Sequence, residues 1–310
     1  MTKPSVDLRA QKDVTGGLLF GLLGVLAFSF SLPMTRLATR ELDPTFVGLG
    51  RALLAAVLSI CLLAFKRQPI PARNQWLGLS LVTVGVVIGF PLASSWAVRF
   101  VPSAHAAVIN ALLPLTTAIG GAIANRQRPS ALFWLAACGG SATVFGYLFI
   151  TNGITIEAGD ALMLIAVAIA TLGYVAGGNM SRVIGSWQTI CWANVIAAPF
   201  LVIPVWSRVA MFGIQASTTS WGAFLYLGCI SMFLGFFAWY RGLALGGIAR
   251  VSQVQLVQAF LTVLWAALLL GESISPLMIA AASLVVILIF VARRAPIYET
   301  QNVHTKAQPN

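Results

Sequence analysis

The chain has 310 residues, of which 59% are hydrophobic and only 9% charged, with a mean hydropathy of +0.90 and a formal net charge of +11. A soluble domain carries about 25% charged residues, so a globular soluble fold is excluded. Nucleic-acid binding is set aside as well, because the basic residues are scattered over short segments rather than gathered in one patch.

Ten apolar runs follow one another along the chain. They are Gly17–Leu37, Thr45–Phe65, Trp76–Ala97, Ser103–Ile123 and Ala131–Ile150, then Gly159–Met180, Trp187–Trp206, Ser220–Tyr240, Ile248–Leu270 and Ser275–Val291. Each is about 17–24 residues long, enough for a helix to cross a hydrocarbon core of ~30 Å. Lipid offers no partner to a bare peptide group, so each run is predicted to be helical. Residues 1–16 form a basic cytoplasmic arm that looks like the start of a signal peptide. The run after it is too long, however, and leads into Pro33 and Arg36 rather than a small-residue cleavage site. It is expected to be retained as the first span.

The basic residues set the orientation. With both termini in the cytoplasm, fourteen of the nineteen Lys and Arg fall inside and four (Arg36, Arg40, Arg99, Arg208) outside, while Arg51 lies within a span. Positive residues concentrate on the cytoplasmic side, and an odd number of spans would erase this asymmetry. Cys61, Cys138, Cys191 and Cys229 are isolated, one to a span, and are expected to be buried, inert thiols with no disulfide or metal role.

The layout repeats. Five runs (residues 17–150) are followed by a periplasmic connector at 151–158, five more runs (159–294) and a cytoplasmic tail at 295–310. An offset of 145 residues lays Asn110 on Gln255, Pro114 on Ala259 and Thr117 on Thr262. Five is odd, so the second unit must enter the membrane inverted. The predicted fold is therefore an all-α integral membrane protein with ten transmembrane helices arranged as two inverted five-helix repeats. Inverted repeats commonly hold a substrate site at mid-membrane between the halves.

Polar side chains facing lipid are costly, so polar stripes mark helix faces turned inward. The fourth run carries Asn110, Pro114 and Thr117 on one face, after Ser103 at its start. The ninth carries Ser252, Gln255, Gln258 and Thr262 on one face. These stripes line a shared cavity or form interhelical hydrogen bonds; their equivalence under the offset favours the cavity. Tyr174 and Asn179 in the sixth run stand among Gly173, Gly177 and Gly178, where close helix packing explains the glycines equally well. Trp96, Trp239 and Tyr240 are candidate aromatic walls for a ligand, against the plainer reading of core or lipid contact. Pro33, Pro91 and Pro114 interrupt helical ladders and are candidate hinges or gates. Arg51 is costly inside a span, ~2.5–3.5 kcal/mol on insertion scales, but its long side chain can snorkel outward. His105, at the start of the fourth run, reads as a solvated polar residue rather than a proton carrier.

The stretch from Tyr240 to Glu272 resembles the EamA family of the drug/metabolite transporter superfamily. Ala244–Leu245, Ala249 and Leu270–Gly271–Glu272 match that family's pattern. Ala259 stands where proline is common, and Gln127 replaces the acid that the first half would carry. The resemblance implies ten helices, paired inverted repeats and a central cavity. Within the family the chain is similar overall to YddG-type exporters of aromatic and other amino acids, which implies amino-acid export across a bacterial inner membrane.

The expected function is thus a carrier, not an enzyme, that exports small neutral or zwitterionic metabolites, above all amino acids, by alternating access. Its partners are a small-molecule substrate and membrane lipid; a monomer suffices, oligomers are left open, and no cofactor or metal is expected. With no carboxylate inside a span, a proton relay has little to run on, and facilitated transport is the expectation. A sugar-phosphate or nucleotide-sugar carrier would place several Lys or Arg in the cavity, where only Arg51 is available. A lipophilic-drug carrier would want a buried carboxylate. An intramembrane enzyme lacks converging acid–base or metal groups. A structural or assembly subunit would explain the glycines but not the repeated polar stripe.

Overall fold

The computed structural model describes residues 8–101, 106, 109–152, 158–270 and 276–299. Ser103, His105, Glu157, Gly271 and Glu272 lie outside these residues, as do most of the connector and the two chain ends. The described chain is almost wholly helical. In order it forms α1 (Leu8–Ser29), α2 (Ser31–Ala38), α3 (Pro44–Phe65) and α4 (Arg73–Phe100), then α5 (Leu113–Ala124), α6 (Ala131–Asn152) and α7 (Ala158–Ile184). There follow α8 (Ser186–Phe212), α9 (Thr218–Gly246) and α10 (Ile248–Ser252), with a 3-10 turn at Gln253–Leu256 leading into α11 (Val257–Leu270), and finally α12 (Pro276–Arg294). Among the described residues, six segments are long and apolar enough to cross a membrane: Asp13–Ala38 and the helices α3, α4, α7, α8 and α9. Leu113–Ala124 and Ala131–Tyr147 are shorter apolar helices.

Local chemistry sets the helix ends. Asp43 caps α3, its side chain accepting the Phe46 N–H at 3.0 Å, and Pro44 follows where a missing N–H costs nothing. A single residue, Gly185, separates α7 from α8 at φ +100°, and Gly247 separates α9 from α10 at φ +84°. Only glycine takes such angles without strain. The first helix starts at Leu8, before the first apolar run: Leu8 to Lys12 includes no breaker and several good helix formers, so residues 8–16 are helical and run continuously into the span.

Close pairing by small residues builds the bundle. Along α1, Gly17 and Gly21 lie against Gly242 and Gly246 of α9, and Gly24 lies against the Trp239 backbone. Gly85 of α4 meets Gly173 of α7 backbone to backbone. Helix α3 packs on α8, α5 on α10 and α6 on α12. With lipid on the outside there is little hydrophobic drive between helices, and close van der Waals contact takes its place. The outer surface is correspondingly apolar, with Phe65, Ile123, Leu135, Phe200 and Ile203 all exposed. Cys61 and Cys138 share that exposure and only Cys191 is buried, which corrects the expectation of four buried thiols.

Two irregularities were not legible in the sequence. Helices α4 and α9 each contain a π-helical stretch, Thr83–Gly89 and Tyr226–Leu234. A short antiparallel ribbon also departs from a purely helical fold: β1 (Gln127–Pro129) pairs with β2 (Ile297–Glu299). Pro296 cannot continue α12, and its carbonyl accepts the Ser130 N–H at 3.0 Å.

Candidate functional site

The broken helices converge on one interior cavity. It is lined from α1 and α2 by Phe28, Ser31 and Leu32, from α3 by Arg51, and from α4 by Val86, Phe90 and Pro91. Asn110 and Leu113 flank the start of α5; Tyr174 comes from α7, Ser231, Met232 and Phe236 from α9, and Gln255 and Gln258 from the segment joining α10 to α11. Both π-helical stretches border it, through Val86 and through Ser231 and Met232. An extra residue in a helical turn displaces the side chains that follow, and such turns are frequent at functional sites. The water-accessible volume is about 30 Å³, room for a water or two.

Proline chemistry shapes the wall. Pro33 has no N–H to offer the Ser29 carbonyl one turn earlier. That carbonyl accepts the Thr262 hydroxyl at 2.8 Å instead, while Trp265 Nε1 donates to the Ser29 hydroxyl at 2.8 Å. Gln258 Nε2 donates to the Phe28 carbonyl at 3.3 Å. The break between α1 and α2 is thus held open by side chains from Gln258 to Trp265. Pro114 likewise stands just after a helix start at Leu113, with Asn110 one turn before it.

Of the residues singled out from the sequence, Asn110, Tyr174, Gln255, Gln258 and Pro91 line the cavity. Gln255 Nε2 reaches the Tyr174 hydroxyl and Gln258 Oε1, each at 3.4 Å. Asn110 Oδ1 and Gln255 Oε1 are buried with no hydrogen-bond partner among the described residues. The other named residues lie elsewhere. Trp96 donates to the Thr45 hydroxyl at 3.1 Å and ties α4 to α3. Trp239 is fully buried between Phe28 and Tyr174, with ring centroids 6.1 and 5.3 Å away. Tyr240 donates to the Gly173 carbonyl at 3.2 Å and fills the space left by Gly177. Ser252 donates to the Ala249 carbonyl of its own helix at 3.0 Å. Thr117 is buried without lining the cavity, Asn179 is half-buried, and Pro33 and Pro114 act on the wall through the backbone. The glycines of α7 serve packing, with Gly178 against Ile248 and Leu243.

Arg51 is the residue whose place differs most from expectation. It does not snorkel: it is 3% exposed and faces the cavity. Its Nη1 donates to the Thr35 hydroxyl at 3.2 Å and its Nη2 to the Ser94 hydroxyl at 3.4 Å. Both hydroxyls spend their own protons on backbone carbonyls, of Ser31 at 2.7 Å and Pro91 at 3.3 Å, which turns their lone pairs toward the guanidinium. The pocket therefore carries a fixed positive charge. The signal was present in the sequence, since Arg51 is the one basic residue inside a span; what hid its role was the length of its side chain. Ser31 and Ser231, also in the wall, carry no sequence signal at all.

Comparison with known proteins agrees with this architecture. The model of the EamA-like transporter family matches the chain twice, over residues 15–154 and 157–294. The chain belongs to the EamA-like transporter family. It is 41% identical over 288 residues to the uncharacterized transporter YdeK of Bacillus subtilis (strain 168), an alignment covering 90% of this chain and 98% of the relative. A protein of known crystal structure superposes with a TM-score of 0.74 at 16% identity, over 90% of this chain and 98% of the other; that likeness concerns the fold alone. As an EamA-like protein the chain is a multi-pass membrane transporter and not an enzyme.

Proposed function

We propose that the chain exports small zwitterionic or neutral metabolites, amino acids above all, across a bacterial inner membrane by alternating access. In this reading ten helices form two inverted five-helix repeats, residues 17–150 and 159–294, with both termini cytoplasmic. The pairing of helices supports it. Numbering the spans one to ten, with α1 and α2 as the first and α10 and α11 as the ninth, the first packs on the eighth and the third on the sixth. Adding five to each number exchanges these two pairs. The second packs on the seventh, the fourth on the ninth and the fifth on the tenth, pairs that map onto themselves. A pseudo-two-fold axis relating two repeats generates this pattern.

The observation that carries the function is the cavity wall, to which both halves contribute polar groups: Ser31, Arg51 and Asn110 from one, Tyr174, Ser231, Gln255 and Gln258 from the other. A zwitterion suits it, with a cation for its carboxylate and free amide oxygens and rings for its ammonium group. Similarity to YddG-type exporters points the same way. Rocking of one half against the other would open the narrow space to each side in turn. Liposomes loaded with labelled amino acids test this: efflux that requires the protein supports a carrier, and efflux equal to that of empty liposomes for every amino acid sinks the substrate assignment. Movement of sugar phosphates or lipophilic drugs alone would favour the other cargoes expected of the fold.

A further inference from the structure

Three features of Arg51 need a joint explanation. It is buried at the cavity wall, 3% exposed. Its guanidinium has five N–H donors; among the described residues only two are used, in long bonds to the neutral hydroxyls of Thr35 and Ser94, and its buried Nε has no partner there. No carboxylate pairs with it among the described residues. A charge held this way inside a bundle is costly unless something else neutralises it. Nearby, Asn110 Oδ1 and Gln255 Oε1 are buried and unpartnered in the same wall. One set of groups lacks an anion; the other lacks a donor.

We propose that Arg51 is the specificity-determining residue that accepts the substrate's free carboxylate, while Asn110 and Gln255 receive its hydrogen-bond-donating end. This rests on the carrier reading above and adds to it a required functional group. A guanidinium meets a carboxylate through two parallel N–H bonds. Thr35 and Ser94 hold it in place when the cavity is empty and yield as the ligand arrives. A single cation matches a single carboxylate. The two amide oxygens disfavour a phosphate, whose extra negative charge they would face directly, and favour an ammonium, hydroxyl or amide donor. Blocking the carboxylate, as in a primary amide of the same amino acid, leaves the guanidinium unmatched.

Reconstituted protein, wild type and Arg51→Gln and Arg51→Lys, is assayed for efflux of one amino acid and of its primary amide. The wild type is expected to move the acid at least about tenfold faster than the amide, the worth of one charge-assisted interaction. Arg51→Gln is expected to lose that preference by losing the acid, and Arg51→Lys to keep part of it. A merely structural Arg51 would lower both rates together. An Arg51→Gln protein that stays monodisperse and retains the wild-type preference overturns the proposal. Should Arg51→Gln fail to fold, the wild type decides: equal rates for acid and amide overturn it. If the wild type moves no amino acid, the substrate assignment has failed. The same comparison with a 2-hydroxy acid and its amide then judges Arg51 alone, an acid preference lost in Arg51→Gln supporting the proposal and no preference overturning it.

Discussion

The hydroxyls of Ser31 and Ser231 share a hydrogen bond at 2.7 Å, although 200 residues separate them in the chain. Ser31 opens α2, just past the break at Phe30, and Ser231 lies in the π-helical stretch of α9. Each therefore sits where a helix is irregular, and both line the cavity. If the two halves move during transport, this contact breaks and reforms. The double variant Ser31→Cys/Ser231→Cys should form a disulfide on mild oxidation, the oxygens being close enough for the replacement sulfurs to bond after a small adjustment. Efflux should stop in the oxidised protein and return on reduction. Cross-linked protein working at the full rate would mean that these two segments do not separate in the cycle.

The amide residues give a second test. Asn110→Leu and Gln255→Leu should each lower efflux about tenfold or more, because both remove an unpartnered oxygen from the cavity wall, while the yield of folded protein stays near that of the wild type. Gln255 makes only long bonds, at 3.4 Å, so little interhelical glue is lost. Aggregation of both variants would assign these residues to structure instead.

How far the sequence reaches is clear from such residues. Hydrophobic length located the six long apolar segments closely, and the polar face of Gln255, Gln258 and Thr262 led to the cavity. The same face also held glue: Thr262 spends its hydroxyl on the Ser29 carbonyl that Pro33 leaves free. No periodicity distinguishes these two fates, because both need a polar group turned inward. Trp239 and Tyr240 read as ligand walls, but the Trp239 ring packs between Phe28 and Tyr174, and the Tyr240 ring fills the room that Gly177 leaves. Such complementarity is a property of pairs of helices, not of either sequence alone. The π-helical stretches, and with them Ser231 and Met232 in the wall, depend on packing against neighbours and leave no local signature.

Glycine packing gives a test of the fold itself. A Cβ on Gly85 would fall 2.5 Å from the Gly173 Cα and 2.9 Å from the Ile169 carbonyl oxygen. Both obstacles are backbone, so α4 and α7 must separate to accommodate it. Gly85→Ala should destabilise the protein by ~1–3 kcal/mol, the usual penalty for overpacking, despite the better helix propensity of alanine. Gly222→Ala, with nothing within 4 Å of its added Cβ, should be neutral or slightly stabilising. Thermal midpoints of the two variants in detergent make the comparison, and equal midpoints would remove the close approach from the account of the fold.

Outside the bundle, Glu41 accepts hydrogen bonds from the Ser217 backbone N–H and, at 3.1 Å, from the Ser217 hydroxyl. It thereby ties the end of the first span to the residue that caps α9. The backbone bond from Ser217, with help from its hydroxyl, holds the carboxyl below the ordinary range. A carboxyl whose pKa is depressed on folding contributes stability above its unfolded pKa, and that contribution is lost as pH falls through the folded value. The tie should therefore be complete at about pH 7 and released only in acid below the usual carboxylate range of about 4. Glu41 is fully exposed, so water and salt screen the effect and keep it small. Thermal midpoints of the wild type and Glu41→Gln, followed from about pH 7 down to about pH 3, should differ at the top of that range in favour of the wild type and converge at the bottom. A gap that stays constant across the range would show that the ionised carboxylate is not what joins the two segments.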